Sequence, residues 1–240
     1  MLLAVLLVAG CGGHRHAAVK ASKVARCAPG STLALVSGRL AYAGVAAGGA
    51  IAYASPGGAV EAHFGKVNVN GYPTIFGVLG KVVTGTCEPA WYRVELPQRP
   101  NGAVGYVRPS QVQLVPIRSR IVVDVSARRL TFYRSGKPFL SSPVAVGSPA
   151  TPTPLGRFYV NQRLVPDDPS GPYGPDAIGI SAFSNVLTGW AQGGPVAIHG
   201  TNEPWSIGQA VSNGCIRLPN AVLRRIWPLA VAGTPVVVRA

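Results

Sequence analysis

The hydrophobic positions of residues 27–116 form short runs that Gly, Pro and Asn interrupt about every 8 to 12 residues. The runs include TLALV, KVNVNGYPTIFGVLG, WYRVELP and GAVGYVRP. Alternating or β-branched runs of this length, separated by turn residues, are typical of a small β-barrel or sandwich rather than of helices. We therefore predict a first β domain over residues 27–116.

The pattern in residues 117–240 also favours strands and predicts a second β-rich domain. Three strands are expected within residues 120–146, and a last strand is expected at 234–239. A helical pattern occurs only at residues 220–232, with Asn220 as the expected N-cap and Pro228 shortening or kinking the helix. The predicted fold class is therefore mainly β, with one or two short helices.

The chain begins MLLAVLLVAGC, an apolar run that is too short to span a bilayer, which requires about 20 apolar residues. We interpret residues 1–11 as an export signal. The small residues before Cys11 resemble the bacterial lipoprotein signal, which implies a lipidated N-terminal cysteine at that position. The positive region that normally precedes the apolar run is missing, so we expect a start further upstream. The alternative is a buried Cys11 in an ordinary apolar segment.

Residues 12–26 carry four positive charges and no acid, and they are expected to form a flexible basic tether. Their charges would assist a lipid chain at anionic head groups. The predicted location is the outer face of the cytoplasmic membrane, facing the cell wall.

The net charge of the chain limits the class of partner but does not identify one. The chain has 22 Lys and Arg against 8 Asp and Glu, which gives a net charge of +14. Such a field attracts polyanions, anionic lipids or acidic wall polymers. Nucleic acid is excluded as a partner, because the chain reads as exported and has no interleaved basic and aromatic motif. The acids are too scattered to indicate a metal cage or a pair of glycosidase carboxylates.

The four cysteines are spaced too widely for a CxxC zinc or redox motif. Cys27 and Cys87 bracket the first domain, and in an oxidising compartment we expect them to form a disulfide. The chain-entropy model assigns such a bond about 4 kcal/mol of stability.

Within the first domain, the segment WYRVELP, the Asn101-Gly102 pair and the segment GYV resemble the last strands of bacterial SH3-like domains. Asn-Gly supplies the positive φ angles that a tight hairpin turn requires. The resemblance implies a small SH3-like barrel and, weakly, binding to the wall. The alternative is that Trp91, Tyr92 and Tyr106 simply pack the core of the domain.

The candidate chemistry lies in two segments, IHGT and VSNGCIRL. A cysteine is a good nucleophile as thiolate, so Cys215 needs a base nearby, and His199 is the candidate base. Gly214 lets the backbone approach a reacting carbonyl, and the N–H groups of Gly214 and Cys215 are candidates for an oxyanion hole. Arg217 offers a cation that suits a substrate carboxylate.

Residues 120–240 resemble the L,D-transpeptidase catalytic domain of bacterial cell-wall enzymes. The signature HGT, spacer, SxGCxR occurs at residues 199–201 and 212–217, and the segment TPLGRF at 153–158 is a supporting match. The resemblance implies that Cys215 is the nucleophile and that His199 is the general base and acid. It also implies that the carbonyl of Gly200 orients the imidazole.

Further roles follow from the same resemblance. Ser212 and Asn213 are expected to support the loop, and Thr201 is expected to contact substrate. Residues 166–194 are loop-rich and are a candidate lid, whose aromatic residues Tyr173, Phe183 and Trp190 either line the groove or pack on their own domain.

The implied reaction forms 3→3 cross-links between peptidoglycan stem peptides through a cysteine thioester, without a metal or organic cofactor. Two enzymatic alternatives keep the thioester: attachment of a protein to the wall, and trimming of stems as an L,D-carboxypeptidase. The alternative without catalysis is a wall-binding module with an inert thiol. We expect a monomer.

Overall fold

A computed structural model describes residues 26–240 of the chain. The predicted signal segment, the lipidation site at Cys11 and the predicted tether up to residue 25 lie outside the described residues. No helix in the described part is long and apolar enough to cross a membrane.

The first half of the chain folds into one antiparallel sheet of eight strands. The strands are β1 (Thr32–Ala34), β2 (Ala41–Val45), β3 (Ala50–Tyr53), β4 (Val60–Phe64), β5 (Ile75–Val83), β6 (Pro89–Glu95), β7 (Val104–Val107) and β8 (Gln113–Ile117). Their order is β4-β3-β7-β6-β5-β2-β8, with β1 paired to β5 outside this path. Among the described residues β4 and β8 do not pair with each other, so backbone hydrogen bonds do not close the sheet into a barrel. The SH3-like assignment stays a prediction.

The hairpin predicted around Asn101 and Gly102 is present, because β6 and β7 pair antiparallel on either side of it. Gly102 has a φ of 80°, which a glycine adopts without strain. Trp91 on β6 is buried, with the Arg108 guanidinium 3.6 Å from its ring centroid and the Tyr53 ring packed edge-on. Trp91 therefore packs the interior of this sheet. The disulfide expected between Cys27 and Cys87 is formed.

The second half forms another sheet of eight strands, a two-stranded ribbon and one short helix. The elements are β9 (Ser119–Asp124), β10 (Arg129–Arg134), β11 (Lys137–Pro143), β12 (Val146–Gly147), β13 (Gly156–Leu164), β14 (Ala177–Phe183), β15 (Pro195–His199), β16 (Ala210–Ser212), β17 (Ile216–Arg217), α1 (Asn220–Ile226) and β18 (Pro235–Arg239). The sheet order is β11-β10-β9-β18-β13-β14-β15-β17, and β12 pairs with β16. The predicted mainly β fold is confirmed.

The helix α1 ends at Ile226, before Pro228, which has no N–H to continue a helix and shortens it as predicted. The predicted N-cap is wrong, because the N-cap is Pro219 and Asn220 is the first helical residue, so the Asn220 side chain is free for another contact. The loop-rich segment 166–194 also contains the buried strand β14.

The two sheets pack against each other through a shared apolar cluster. Tyr159 of β13 is buried among Ala41, Ala43, Ile75 and Ile117 of the first sheet. Its hydroxyl donates to the Ile75 carbonyl at 2.8 Å, which satisfies the one polar atom of the ring. Burial of this tyrosine fixes β13 and its neighbour β14 against the first sheet.

Candidate active site

Parallel pairing of β15 with β17 brings the two predicted motifs together. His199 at the end of β15 stands opposite Arg217 of β17, and Cys215 directly precedes β17. The Ala197 N–H of β15 donates to Cys215 Sγ at 3.5 Å. The HGT segment therefore lies beside the cysteine loop, as the predicted chemistry requires.

A tight turn presents Cys215. Gly214 has a φ of 110°, in the region where a side chain would be strained. Ser212 Oγ accepts from the Gly214 N–H at 3.1 Å and donates to the Cys215 carbonyl at 2.6 Å, so Ser212 braces the loop. Because its N–H is already bonded to Ser212, Gly214 is not a free oxyanion donor. The candidate that is left from the predicted pair is the Cys215 N–H.

His199 is held as a neutral base. The residue is 4% exposed, and Nδ1 lies 2.6 Å from the Gly200 carbonyl oxygen. A carbonyl can only accept, so Nδ1 carries the proton and Nε2 is left as an acceptor. Burial lowers the pKa of His199 to about 4, the nearby Arg217 cation acts in the same direction, and the Gly200 bond opposes both. At neutral pH His199 can therefore accept a proton from a nucleophile.

Cys215 rests as a thiol. Burial raises its pKa above the ordinary value of 9.0, while the Ala197 N–H and the Arg217 cation act to lower it. Both partners of the pair are consequently uncharged at rest. In this state a nucleophilic attack by Sγ requires that the thiol proton pass to a base, for which the neutral imidazole is the candidate.

Asn220, which the sequence predicts as a helix N-cap, fixes the HGT turn. Asn220 Oδ1 accepts from the Thr201 N–H at 2.8 Å. A Cβ on Gly200 would collide with the same Oδ1 atom, so glycine is required there. Thr201 is 4% exposed, and its hydroxyl accepts from the Glu203 N–H at 2.9 Å. The Thr201 side chain therefore turns inward to brace the turn, and its predicted contact with substrate stays a prediction.

Arg217 forms an ion pair with Glu203. One nitrogen of the guanidinium, Nη1, is paired with Glu203, so the predicted contact of Arg217 with a substrate carboxylate would use its other N–H groups and stays a prediction. The Arg217 cation also lowers the pKa of His199 and that of Cys215. The sequence analysis did not identify Glu203 as a site residue. Its position two residues after the HGT motif was the one signal for it.

A cavity of about 670 Å³ opens beside the cysteine, and its lining includes Cys215, Asn213 and Tyr173. The Tyr173 ring also packs edge-on to the His199 ring, with centroids 5.0 Å apart. Trp190 lines the cavity but Phe183 does not, so the predicted aromatic lining is met in two of its three positions. Among the described residues, Asp167 is the one charged side chain of the lining. The cationic surface of the protein does not extend into this cavity.

Comparisons with known proteins identify the family of the domain that contains this site. The model of the YkuD family, described as the L,D-transpeptidase catalytic domain, matches residues 118–238. The YkuD protein of Bacillus subtilis is 35% identical over 118 residues, which cover 49% of this chain and 64% of the relative. ErfK/SrfK of Salmonella typhimurium, described as a probable L,D-transpeptidase, is 29% identical over 147 residues, which cover 50% of this chain and 44% of the relative. The chain thus spans less than two thirds of each relative.

Two solved structures illustrate the structural likeness. An L,D-transpeptidase from Mycobacterium smegmatis aligns at 22% identity and a TM-score of 0.41, over 63% of this chain and 78% of that one. A mutant L,D-transpeptidase of Enterococcus faecium aligns at 26% identity and a TM-score of 0.38, over 50% of this chain and 49% of that one.

The match to the family model covers half of the chain and contains His199, Gly200 and Cys215, the three residues that the geometry brings together. The chain belongs to the YkuD family of L,D-transpeptidase catalytic domains.

Proposed function

We propose that the protein is a peptidoglycan L,D-transpeptidase that forms 3→3 cross-links through a thioester on Cys215. One observation carries the proposal. The Cys215 thiol borders an open cavity and lies next to the strand that ends in His199, a neutral imidazole whose tautomer is fixed by the Gly200 carbonyl. This arrangement suits nucleophilic attack on a neutral amide carbonyl.

In the first step, Cys215 Sγ attacks the carbonyl carbon of the third residue of a tetrapeptide stem, and the thiol proton passes to His199 Nε2. The carbonyl oxygen becomes an oxyanion, for which the Cys215 N–H is the nearest candidate donor. The C–N bond to the terminal D-Ala then breaks. His199 gives its proton to the leaving amine, and the acyl group stays on Cys215 as a thioester.

In the second step, the side-chain amine of another stem attacks the thioester carbonyl. The amine loses a proton to His199, the C–S bond breaks, and that proton restores the Cys215 thiol. Asp167 supports an amine as acceptor, because an exposed carboxylate at the cavity attracts an ammonium group. Attack by water in place of the amine would give the carboxypeptidase alternative.

The first test is covalent labelling. Intact-mass spectrometry after exposure to a carbapenem should show one adduct on the wild type and none on Cys215→Ala. Incubation with defined tetrapeptide muropeptides should then give dimers whose sequenced bond joins the two third residues. A missing adduct on the wild type, or an adduct that persists in Cys215→Ala, would contradict the proposed nucleophile.

We also propose that the chain is exported and anchored by a lipid on Cys11, on the strength of the lipoprotein-like residues 1–11. Expression of Cys11→Ala in a bacterial host should move the protein from the membrane pellet to the soluble fraction, whereas Cys215→Ala should leave it in the pellet. Retention of Cys11→Ala in the membrane pellet would contradict the anchor.

A further inference from the structure

One wall of the catalytic cavity is held by side chains of the first sheet. This wall is the segment 184–194, which joins β14 to β15 and contributes Leu187, Trp190 and Gln192 to the cavity. The Arg99 guanidinium, from the loop between β6 and β7, donates to the Ser184 carbonyl at 2.6 Å and to the Gly193 carbonyl at 2.7 Å. A single side chain of the first sheet thus ties the two ends of the wall together.

A second side chain from the same loop fixes the start of the wall. The Asn101 amide pairs with the backbone of Phe183, accepting from its N–H at 2.8 Å and donating to its carbonyl at 2.7 Å. It also donates to Asn185 Oδ1 at 3.1 Å. The Asn101 amide therefore binds the backbone N–H and C=O of one residue with both of its polar atoms.

A third side chain of the first half enters the cavity itself. Asn70 lies between β4 and β5 and lines the cavity that contains Cys215. Gln192 Nε2 donates to Asn70 Oδ1 at 2.9 Å, and Asn70 Nδ2 donates to Gln162 Oε1 at 3.1 Å. These amides pair with each other across the junction of the two sheets.

The amides also separate two cavities. A second cavity of about 380 Å³, on the side of the first sheet, shares Asn70, Asn161, Gln162, Gln192 and Pro195 with the catalytic cavity. Asn161 Oδ1 is buried and has no hydrogen-bond partner among the described residues. A buried acceptor of this kind is satisfied when a donor group arrives, so it favours a ligand with N–H groups.

The chemistry of the lining selects the group that binds. Neutral amide side chains present donors and acceptors together, whereas no Lys or Arg lines either cavity in the described part of the chain. A carboxylate would be unpaired there, but a secondary amide matches both kinds of atom. Asn101 already shows that a side-chain amide here pairs with a backbone N–H and a backbone carbonyl, which belong to two successive peptide amides.

We infer that Asn70, Asn161 and Gln192 form a substrate subsite that binds secondary amides, and that Arg99 and Asn101 are positioning residues that hold its wall. The inference rests on the proposed function and deepens it, because the first sheet becomes part of the substrate groove. Two sources of secondary amide are possible in the substrate: the stem peptide backbone and the N-acetyl groups of the attached sugars.

Kinetics of the full chain with a tetrapeptide stem test the subsite. Asn70→Ala should raise KM at least fivefold with a smaller change in kcat, and Arg99→Ala should do the same, with partial rescue by Arg99→Lys. Gln113→Ala removes an exposed amide on β8 and should leave both constants unchanged. Unchanged KM in Asn70→Ala, or a loss confined to kcat, would overturn the inference.

Binding without turnover separates this inference from the proposed function. In a Cys215→Ala background, calorimetry should show at least fivefold weaker binding of the uncleaved stem when Asn70→Ala is added. If binding depends on Asn70 while the wild type makes no cross-link, the subsite stands and the proposed function fails. If cross-links form but stem binding is absent or independent of Asn70, the subsite is wrong.

The two sources of amide are resolved by using the stem with and without its disaccharide. An effect of Asn70→Ala on both ligands assigns the subsite to the peptide backbone, and an effect on the disaccharide form alone assigns it to the N-acetyl sugars. If Asn70→Ala lowers the melting temperature as well as the affinity for the stem, and Gln113→Ala lowers neither, the amides have a purely structural role and the inference is contradicted.

Discussion

The two sheets of the molecule divide the work unequally. The second sheet holds the reacting groups, with His199 at the end of β15 and Cys215 just before β17. The first sheet has no free thiol in the described residues, since Cys27 and Cys87 are bonded to each other. It supplies Asn70, Arg99 and other polar side chains that hold and line the cavity wall. The proposed reaction therefore depends on a short local arrangement, and the shape of the cavity depends on contacts between the sheets.

In both regions, burial shifts the pKa of a titratable group toward its neutral form. In the second sheet it lowers the pKa of His199 to about 4. At the junction it raises the pKa of Glu95 from 4.5 to about 7, against the hydrogen bond from Ser181 and the Arg157 cation, which act to lower it. The neutral form is favoured in each case, but the functional meaning differs. A neutral His199 is a usable base, whereas Glu95 opposes close packing of the sheets once it ionises.

The largest expected effect is on the acylation rate, when the candidate base His199 is removed from the second sheet. His199→Ala should slow acylation of Cys215 by a stem donor about 10³-fold, within the range that general base catalysis contributes. His63→Ala, an exposed histidine of the first sheet, is the matched control. Stopped-flow or quench-flow acylation rates check this. A loss in His199→Ala smaller than about tenfold would mean that the reaction does not depend on this histidine.

Removing the disulfide tests whether the first sheet needs a covalent link that the second lacks. The bond closes a segment with a sequence separation of 60. Replacing both Cys27 and Cys87 by Ser should lower the free energy of unfolding by about 4 kcal/mol on the chain-entropy model. Urea unfolding monitored by circular dichroism measures it, with a reductant added to the double variant as control. A change below about 1 kcal/mol would show that the pairing adds little constraint.

The pH dependence of stability tests the junction. Because its folded-state pKa lies above its unfolded value, Glu95 favours folding fully below about pH 4.5, and this contribution is lost as the pH rises through about 7. Glu95→Gln keeps an acceptor for the Ser181 hydroxyl and does not ionise. Its free energy of unfolding should therefore exceed that of the wild type by about 3 kcal/mol at pH 8, with a smaller difference at pH 5. Urea midpoints at both pH values measure this difference. A constant difference would show that Glu95 does not titrate between them.

The smallest effect concerns the charge beside the catalytic pair. The rate of acylation should be constant at neutral pH and fall as the pH drops through the His199 pKa of about 4. Arg217→Gln removes a cation that lowers this pKa and leaves Glu203 unpaired, so the acidic limb should move to higher pH. At pH 7 the acylation rate should change less than about twofold. A limb that stays in place would show that Arg217 does not act on His199.

The same division explains what could be predicted from the sequence. Strand periodicity and the Asn101-Gly102 turn are local signals, and the HGT and SNGCIR segments are two short motifs that each carry part of the chemistry. The structure brought His199 and Cys215 together through the pairing of β15 with β17, as the motifs indicated.

The errors and omissions concern contacts between segments that are separated in the chain. Asn220 reads as an N-cap, but its side chain closes the HGT turn by accepting from Thr201. Arg217 reads as a free cation until Glu203 is brought beside it. Asn70 carries no signal in its own neighbourhood, because its role depends on meeting Gln162 and Gln192 across the junction. Side-chain partners of this kind follow from tertiary packing and not from local pattern.

The most direct test of the account is capture of the acyl-enzyme with a natural donor. The wild type is mixed with a tetrapeptide stem, quenched with acid before the second step, digested, and analysed by mass spectrometry. The peptide that contains Cys215 is expected to gain the mass of the stem without its terminal D-Ala, and His199→Ala is expected to reduce this species greatly. Acylation of any other residue, or cross-linked product that forms without a covalent species on Cys215, would contradict the proposed mechanism.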